Sequence, residues 1–348
     1  MSPGATMRAC LLAVPGELRL CTLPVPSVGP RELLVRVLTT GVCGSDLATY
    51  RGTHPYKRAP AVLGHELCGV VERLGSEVRG LAPGDLVCAT AYSPCDVCAA
   101  CSEGAPHLCS AKRSLSQAGF DGSFAEYVAV AENMAFKLRS DLDPVLGALV
   151  EPLSIAAHAL KLARRAPGAS LAIVGTGSIG LCTVVAARAL RFGAVVCLDR
   201  DPEKGELALA HGATGYADVR APGALVRAQK LLGGHADVVA VCSGHPEALD
   251  DAAALARPGG QIIVVSYFTE RVAVDLNTIV GRELAVVGSA LATPGDVAEV
   301  IDWLEVDGLD PSNIVRRRFA LKDAALAMEA VERGSPGKTL IDLTGATS

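Results

Sequence analysis

The chain has 348 residues, half of them hydrophobic and a fifth charged, with a net charge of −5. That length exceeds what one hydrophobic core usually fills, so two domains are expected. The acidic balance leaves no basic footprint for nucleic acid, and no apolar run approaches membrane-spanning length.

The N-terminus, Met1-Ser-Pro-Gly-Ala-Thr-Met7-Arg8, has no apolar signal core, so a cytoplasmic chain is expected. Its first six residues read as a loose tail. Residues 8 to 40 then read as short antiparallel strands, from Arg8-Ala-Cys-Leu-Leu-Ala13 through Leu18-Arg-Leu-Cys21 to the run that starts at Glu32. Glycine turns and more short strands continue to about Val130, including Cys68-Gly-Val-Val-Glu72 and Gly84-Asp-Leu-Val-Cys88. Helical spacing follows from about Pro144 to Arg164.

Two constellations stand in this first half. Cys95-x-x-Cys98-x-x-Cys101, followed by Cys109, is a compact set of four thiolates in a loop-like stretch with Pro94, Gly104 and Pro106. Zinc prefers a closed tetrahedral sulfur shell where its role is structural, so this set predicts a structural zinc that staples a lobe. His107 is a ligand by type, but four cysteines already fill the shell. The second constellation is spread out: Gly41-Val-Cys43-Gly-Ser45-Asp46, Gly64-His65-Glu66 and Glu151-Pro152. A catalytic zinc needs about three protein ligands and one open position. Cys43, His65 and a carboxylate would supply them. The scattered Cys10, Cys21, Cys68, Cys88, Cys182, Cys197 and Cys242 read as small buried hydrophobes.

From Ser170 onward strands and helices alternate, which predicts a doubly wound parallel sheet. Strands are expected at Leu171–Val174, Ala194–Leu198, Val238–Val241, Gln261–Val265 and Leu284–Gly288. Helices are expected at Ser178–Leu190, Glu203–His211, Gly223–Leu232 and Pro246–Ala256. The first strand runs into Gly175-Thr-Gly177-Ser178-Ile179-Gly180, and the second ends at Asp199-Arg200. Gly175 permits the tight turn, Gly177 lets backbone approach a pyrophosphate, and Gly180 lets the helix pack close to the strand. The helix N-terminus offers free N–H groups to phosphate. Asp199 suits a ribose 2′-hydroxyl and repels a 2′-phosphate, which favours NAD, although Arg200 is a residue type that can serve NADP. The tail from Thr293 holds two amphipathic helices and a last strand, Lys338–Leu343. The apolar edge Glu283–Gly288 is a pairing hazard that a dimer would resolve.

Taken together, Gly-Val-Cys43-Gly-Ser45-Asp46, Gly-His65-Glu66, the four-cysteine lobe, Phe124-Ala-Glu126-Tyr, Glu151-Pro-Leu and the glycine fingerprint resemble the zinc-dependent medium-chain alcohol, polyol and threonine dehydrogenases over essentially the whole chain. The resemblance implies a GroES-like β-rich catalytic domain, residues 1–152 and 291–348, with the zinc lobe at about 92–112. A Rossmann NAD-binding domain, residues 153–290, is inserted between the two parts. It implies Cys43 and His65 as catalytic zinc ligands, with Glu66 or Glu151 completing the shell directly or through water. It implies Asp46 as the carboxylate that orients the zinc histidine, and Ser45 as the hydroxyl that takes the substrate proton. Zinc, NAD and a small-molecule alcohol or ketone are the implied partners, in a homodimer or homotetramer.

The chain departs from its relatives in places. Ala48 stands where many carry a relay histidine, for which His54 is the candidate substitute. Tyr92 stands where threonine dehydrogenases typically have histidine, and Gly288-Ser-Ala-Leu291 lacks the arginine of sorbitol-type enzymes. Tyr50, Tyr92 and Phe120 are candidate pocket residues. The expected activity is reversible oxidation of a secondary alcohol, whether polyol, cyclitol, sugar or amino alcohol. The alternatives are a zinc-free quinone or enone reductase on the same fold, and a non-catalytic cofactor-binding relative.

Overall fold

The computed structural model describes residues 4–345. Their chain forms two compact units. One comprises the residues up to Glu151 and those from Thr293 on, and the other is Pro152–Ala292.

In the first unit the strand Glu32–Gly41 is the axis of a seven-stranded sheet. Glu66–Leu74 pairs antiparallel along one edge of it. The other edge is shared. Tyr127–Ala131 takes residues from Glu32 to Arg36, and the C-terminal strand Lys338–Asp342 takes those from Thr39 to Gly41. The C-terminal strand thus completes a sheet whose other central strands come from the first half of the chain. Leu86–Ala89 and Ala135–Lys137 extend the sheet on one side, and Val315–Ala320 runs parallel to Lys338–Asp342 on the other. The alternation read in the sequence is the reason the sheet forms. Leu33, Val35 and Val37 point to one face, where they pack with Val71, Val87, Phe124, Met328 and Ile341. A three-stranded sheet of Glu17–Pro24, Thr6–Val14 and Ala61–Val62 lies apart from it in the pairing.

Two features differ from the sequence reading here. The expected N-terminal tail is cut short, because Thr6 already begins a strand; residues 1–3 lie outside the described residues. Val315–Ala320, with its Arg316-Arg317-Arg318 run, is a strand that charge disguised. It sits at the end of the sheet, where charged side chains face solvent and discourage further pairing.

The second unit is a six-stranded sheet, parallel throughout. Its order is Gly215–Asp218, Val195–Asp199, Leu171–Val174, Ala236–Val241, Ala256–Val264, Ala285–Gly288. Helices Ser178–Ala189, Pro202–Ala210, Ala224–Leu232 and Ala248–Leu255 connect the strands, as the alternation predicts. The central strands read as unbroken apolar runs because both faces are covered; Leu171, Ala172 and Ile173 are fully buried. The strand Gly215–Asp218 and the short helix Leu276–Gly281 were not legible from periodicity, since neither holds a full apolar repeat. Among the described residues no helix is long and apolar enough to cross a membrane.

Candidate metal centres and dinucleotide site

The helix Gly44–Tyr50 organises the first centre. Cys43 is its N-cap, and Asp46 in its first turn reaches back to accept the Cys43 N–H through Oδ2 at 3.0 Å. A carboxylate suits that end of a helix, where N–H groups lack partners. The other oxygen, Oδ1, accepts the Gly64 N–H at 3.2 Å and stands 3.4 Å from Nδ1 of His65. One buried carboxylate therefore ties the loop of the thiol to the loop of the imidazole. Gly64 makes the turn possible. Its φ is +93°, and a Cβ there would run into the ring of Phe124 and the hydroxyl of Ser123.

With Nδ1 turned toward Asp46, the other nitrogen of His65 faces the cluster, 3.4 Å from the Ser45 hydroxyl. The ligand atoms of Cys43, His65 and Glu66 all lie within 4.8 Å of one another. Burial opposes charge on both members of the Asp46–His65 pair, but their mutual attraction wins. The Asp46 carboxyl falls to about 2, and the imidazole is raised above its ordinary range. A thiolate, an imidazole and a carboxylate converging beside an open hydroxyl form a donor set that suits zinc.

Glu66 opens the strand Glu66–Leu74 opposite Gly41, and only a glycine there leaves room for its carboxylate. Lys338 donates to Oε1 at 2.6 Å and lies 2.5 Å from Oε2. Glu151, in the middle of the helix Pro144–Lys161, is buried but is not among the three converging ligands. Burial pushes its carboxyl up to about 7, with the nearby Glu66 adding to the rise and His65 opposing it.

His54 follows the helix, and its backbone N–H donates to the Ala48 carbonyl at 3.1 Å. Its Nδ1 accepts the N–H groups of Lys57 at 3.1 Å and Tyr56 at 3.4 Å. Burial, and then the Lys57 ammonium, lower its pKa to about 4, so the ring is neutral near pH 7 with its proton on Nε2. Lys57, with 4% of its surface exposed, is a charged neighbour that no sequence motif announced.

In the lobe, the sulfurs of Cys95, Cys98, Cys101 and Cys109 also lie within 4.8 Å of one another, and none is in a disulfide. Cys98 and Cys101 sulfurs are 3.5 Å apart. Zinc–sulfur bonds of about 2.3 Å place tetrahedral sulfurs about 3.8 Å apart, so the cage has the right size. The Cys98 thiol is pulled down to about 6, first by the Cys101 backbone N–H and then by the Cys101 side chain. His107 is buried outside the set.

The candidate pocket aromatics have other work. The Tyr50 hydroxyl donates to the Gly16 carbonyl at 2.8 Å. Phe120 belongs to the core, with the Arg113 guanidinium over its ring. Tyr92 is buried in a short strand pairing with Arg113–Ser114. Glu126 accepts both the backbone N–H and the guanidinium of Arg8.

In the second unit, the strand Leu171–Val174 leads into Gly175 with φ +92°, where a Cβ would meet Ser243 at 2.7 Å. A Cβ on Gly180 would strike the Gly175 carbonyl, whereas one on Gly177 would meet nothing. Gly177 is thus not needed for packing, and its missing side chain leaves the helix N-terminus at Ser178 and Ile179 open to a ligand. Asp199 ends the neighbouring strand. Its Oδ2 accepts the Thr176 N–H at 2.7 Å, and Oδ1 lies 4.0 Å from the Lys204 ammonium. Arg200 is exposed beside it. Lys204 was missed in the sequence because no fingerprint position requires it.

Residues 29–140 match the alcohol dehydrogenase GroES-like domain, and residues 178–306 match the zinc-binding dehydrogenase domain. Sorbitol dehydrogenase of Bacillus subtilis (strain 168) is 30% identical over 329 residues, which cover 93% of each chain. A Sinorhizobium meliloti 1021 protein solved with NADP bound superimposes with a TM-score of 0.88 at 31% identity, covering 97% of this chain and 99% of its own. An Escherichia coli CFT073 alcohol dehydrogenase solved with NADH gives a TM-score of 0.89 at 28% identity, covering 97% and 100%. The two matched domains, the fold and the sorbitol dehydrogenase relative agree: the chain belongs to the zinc-dependent alcohol and polyol dehydrogenase family of oxidoreductases.

Proposed function

We propose that the chain oxidises a secondary alcohol of the polyol, cyclitol, sugar or amino alcohol class to a ketone, with NAD as hydride acceptor, and catalyses the reverse reduction. The alcohol loses a hydride to the nicotinamide and a proton to solvent. The observation that carries this reading is the convergence of Cys43, His65 and Glu66 within 4.8 Å beside the Ser45 hydroxyl. Zinc-free reductases on this fold have no use for such a set, and a non-catalytic relative would have no use for the hydroxyl.

Cys43, His65 and Glu66 would hold a catalytic zinc, with the buried Glu151 the other candidate carboxylate. Bound zinc supplies Lewis acidity that brings the hydroxyl of an alcohol toward ionisation near neutral pH. Asp46 holds the proton on Nδ1 of His65 and so keeps Nε2 free for the metal. Ser45 takes the substrate proton at Oγ and passes it to water. His54 has its Nδ1 occupied by backbone N–H groups, so it serves as a donor from Nε2 rather than as the end of a proton relay. Cys95, Cys98, Cys101 and Cys109 would hold a structural zinc. The Gly175–Gly180 turn with Ser178 and Ile179 receives the pyrophosphate, and Asp199 the adenosine ribose. The charge of Asp199 favours NAD over NADP.

The edge strand Ala285–Gly288 leaves Val286 with 48% of its surface exposed, and we assign it to pairing with a second copy. Twelve free cysteines suit a reducing compartment, in keeping with a cytoplasmic enzyme.

The deciding experiment is NAD reduction by zinc-replete protein across vicinal diols, cyclitols, sugars, sugar acids and amino alcohols. Turnover that Cys43→Ser abolishes, with NAD binding retained, is the expected result. Turnover unchanged by that substitution would refute the zinc assignment.

A further inference from the structure

Ser116 stands where serine is uncommon. Its backbone has φ +68°, in the left-handed region, and the residue is fully buried between the strands Arg113–Ser114 and Tyr127–Ala131. That region favours glycine, then asparagine and aspartate. The Ser116 hydroxyl donates to the Gly64 carbonyl at 3.2 Å.

The Gly64 carbonyl belongs to the peptide bond that enters His65. It accepts a second bond from the Ser123 N–H at 3.0 Å. In the preceding peptide, the Gly64 N–H donates to Oδ1 of Asp46 at 3.2 Å. Gly64 is thus held on both sides. Glycine permits its sharp turn, at φ +93°, but brings no stiffness of its own, so the hold comes from these neighbours. Ser123 extends it. Its hydroxyl lies 2.6 Å from that of Thr40, on the strand that leads to Cys43, next to Gly41, which pairs with Glu66. Thr40, Ser116 and Ser123 are all fully buried. Three uncharged hydroxyls therefore connect the segments that carry Cys43, His65 and Glu66.

We propose that Ser116 is a positioning residue for His65. By holding the Gly64 carbonyl it fixes the peptide that aims the imidazole between Asp46 and the metal, and its own loop bears the strain. The proposal rests on the reading of Cys43, His65 and Glu66 as zinc ligands. A buried hydroxyl kept in a strained conformation points to a role beyond packing. The Gly64 carbonyl retains Ser123 as a donor when Ser116 is changed, so the fold survives while the turn loosens.

Two substitutions separate the hydroxyl from the backbone. Ser116→Ala removes the hydroxyl and keeps the strain, whereas Ser116→Gly removes both. In urea denaturation of metal-free protein, Ser116→Gly should be the more stable of the two. Cobalt titration of the metal-free protein reads the site itself, through the absorption bands that Cys43→Ser abolishes. Both variants should bind cobalt there about tenfold more weakly than the wild type, with shifted d–d bands. Bands of the four-cysteine lobe should stay unchanged. Affinity would then follow the hydroxyl and not stability. If Ser116→Ala does not fold, the strain-free Ser116→Gly decides by the same loss. Wild-type cobalt affinity in Ser116→Gly overturns the proposal, whatever Ser116→Ala does. Bands that require Cys43 but ignore Ser116 refute the positioning role alone. If Cys43→Ser abolishes no band, the metal reading fails, and the positioning role falls with it.

Discussion

The Lys338 ammonium stands 2.6 Å from Oε1 of Glu66, and both side chains are buried, with exposures of 1% and 0%. The pair joins the strand Glu66–Leu74 to the last strand, Lys338–Asp342, so it holds the C-terminal strand beside the candidate metal ligands. A buried pair of this kind adds little over an apolar pair of the same shape, but breaking it is expensive. Lys338→Met should destabilise metal-free protein by about 3–5 kcal/mol in urea denaturation. The double variant Glu66→Gln with Lys338→Met should recover most of that. Equal stability of the single and double variants would show that the pair carries no such coupling.

The lobe predicts a separable metal. Cys109→Ala should remove one of two bound zinc equivalents and lower the melting temperature, while Cys43→Ser removes the other zinc without a comparable fall in melting. Zinc content by atomic absorption, read beside thermal melting, checks both. A single variant that strips both metals would refute independent sites.

Asp199 predicts cofactor choice. Asp199→Asn keeps an acceptor for the Thr176 N–H at the 2.7 Å position but removes the charge that opposes a 2′-phosphate. The NAD-to-NADP preference in kcat/KM should fall by about tenfold or more, since Arg200 and Lys204 remain to receive phosphate. An unchanged ratio would assign the choice to other residues.

His54 predicts acid sensitivity. Burial and Lys57 lower its pKa from 6.5 to about 4 in the fold. The unfolded chain therefore takes up a proton first as pH falls, and stability from this group is lost between about 6.5 and about 4. The loss should reach up to about 3 kcal/mol. His54→Gln should flatten that part of the stability profile in denaturation midpoints measured against pH. A profile of the same slope in both proteins would mean that other groups cause the acid loss.

Val286 predicts assembly. Val286→Lys puts charge on an exposed edge strand, and light scattering should then report a smaller particle than for the wild type. No change in mass would leave the strand an ordinary solvent-facing edge.

Much of the fold was legible because its signals are local. The strand into Gly175, the helix after Gly177 and the acid at Asp199 occupy one stretch of chain, where periodicity and glycine spacing act together. The four cysteines of the lobe are equally close in sequence. The strands Gly215–Asp218 and Val315–Ala320 were not legible, since their neighbours in the sheet, rather than their own composition, make them strands.

What the sequence determined by itself is therefore the fold class, the glycine turn, the two candidate metal-ligand sets by residue type, and the family. Tertiary structure alone decided which carboxylate joins Cys43 and His65, and which charges surround them. Glu66 converges because Gly41, on the neighbouring strand, leaves it room, and it meets a lysine 272 residues further along. Lys57 is buried because the loop after the helix folds back through His54 onto Ala48. Electrostatic interactions depend on distance in space and on burial, and neither is written in the spacing of residues along a chain.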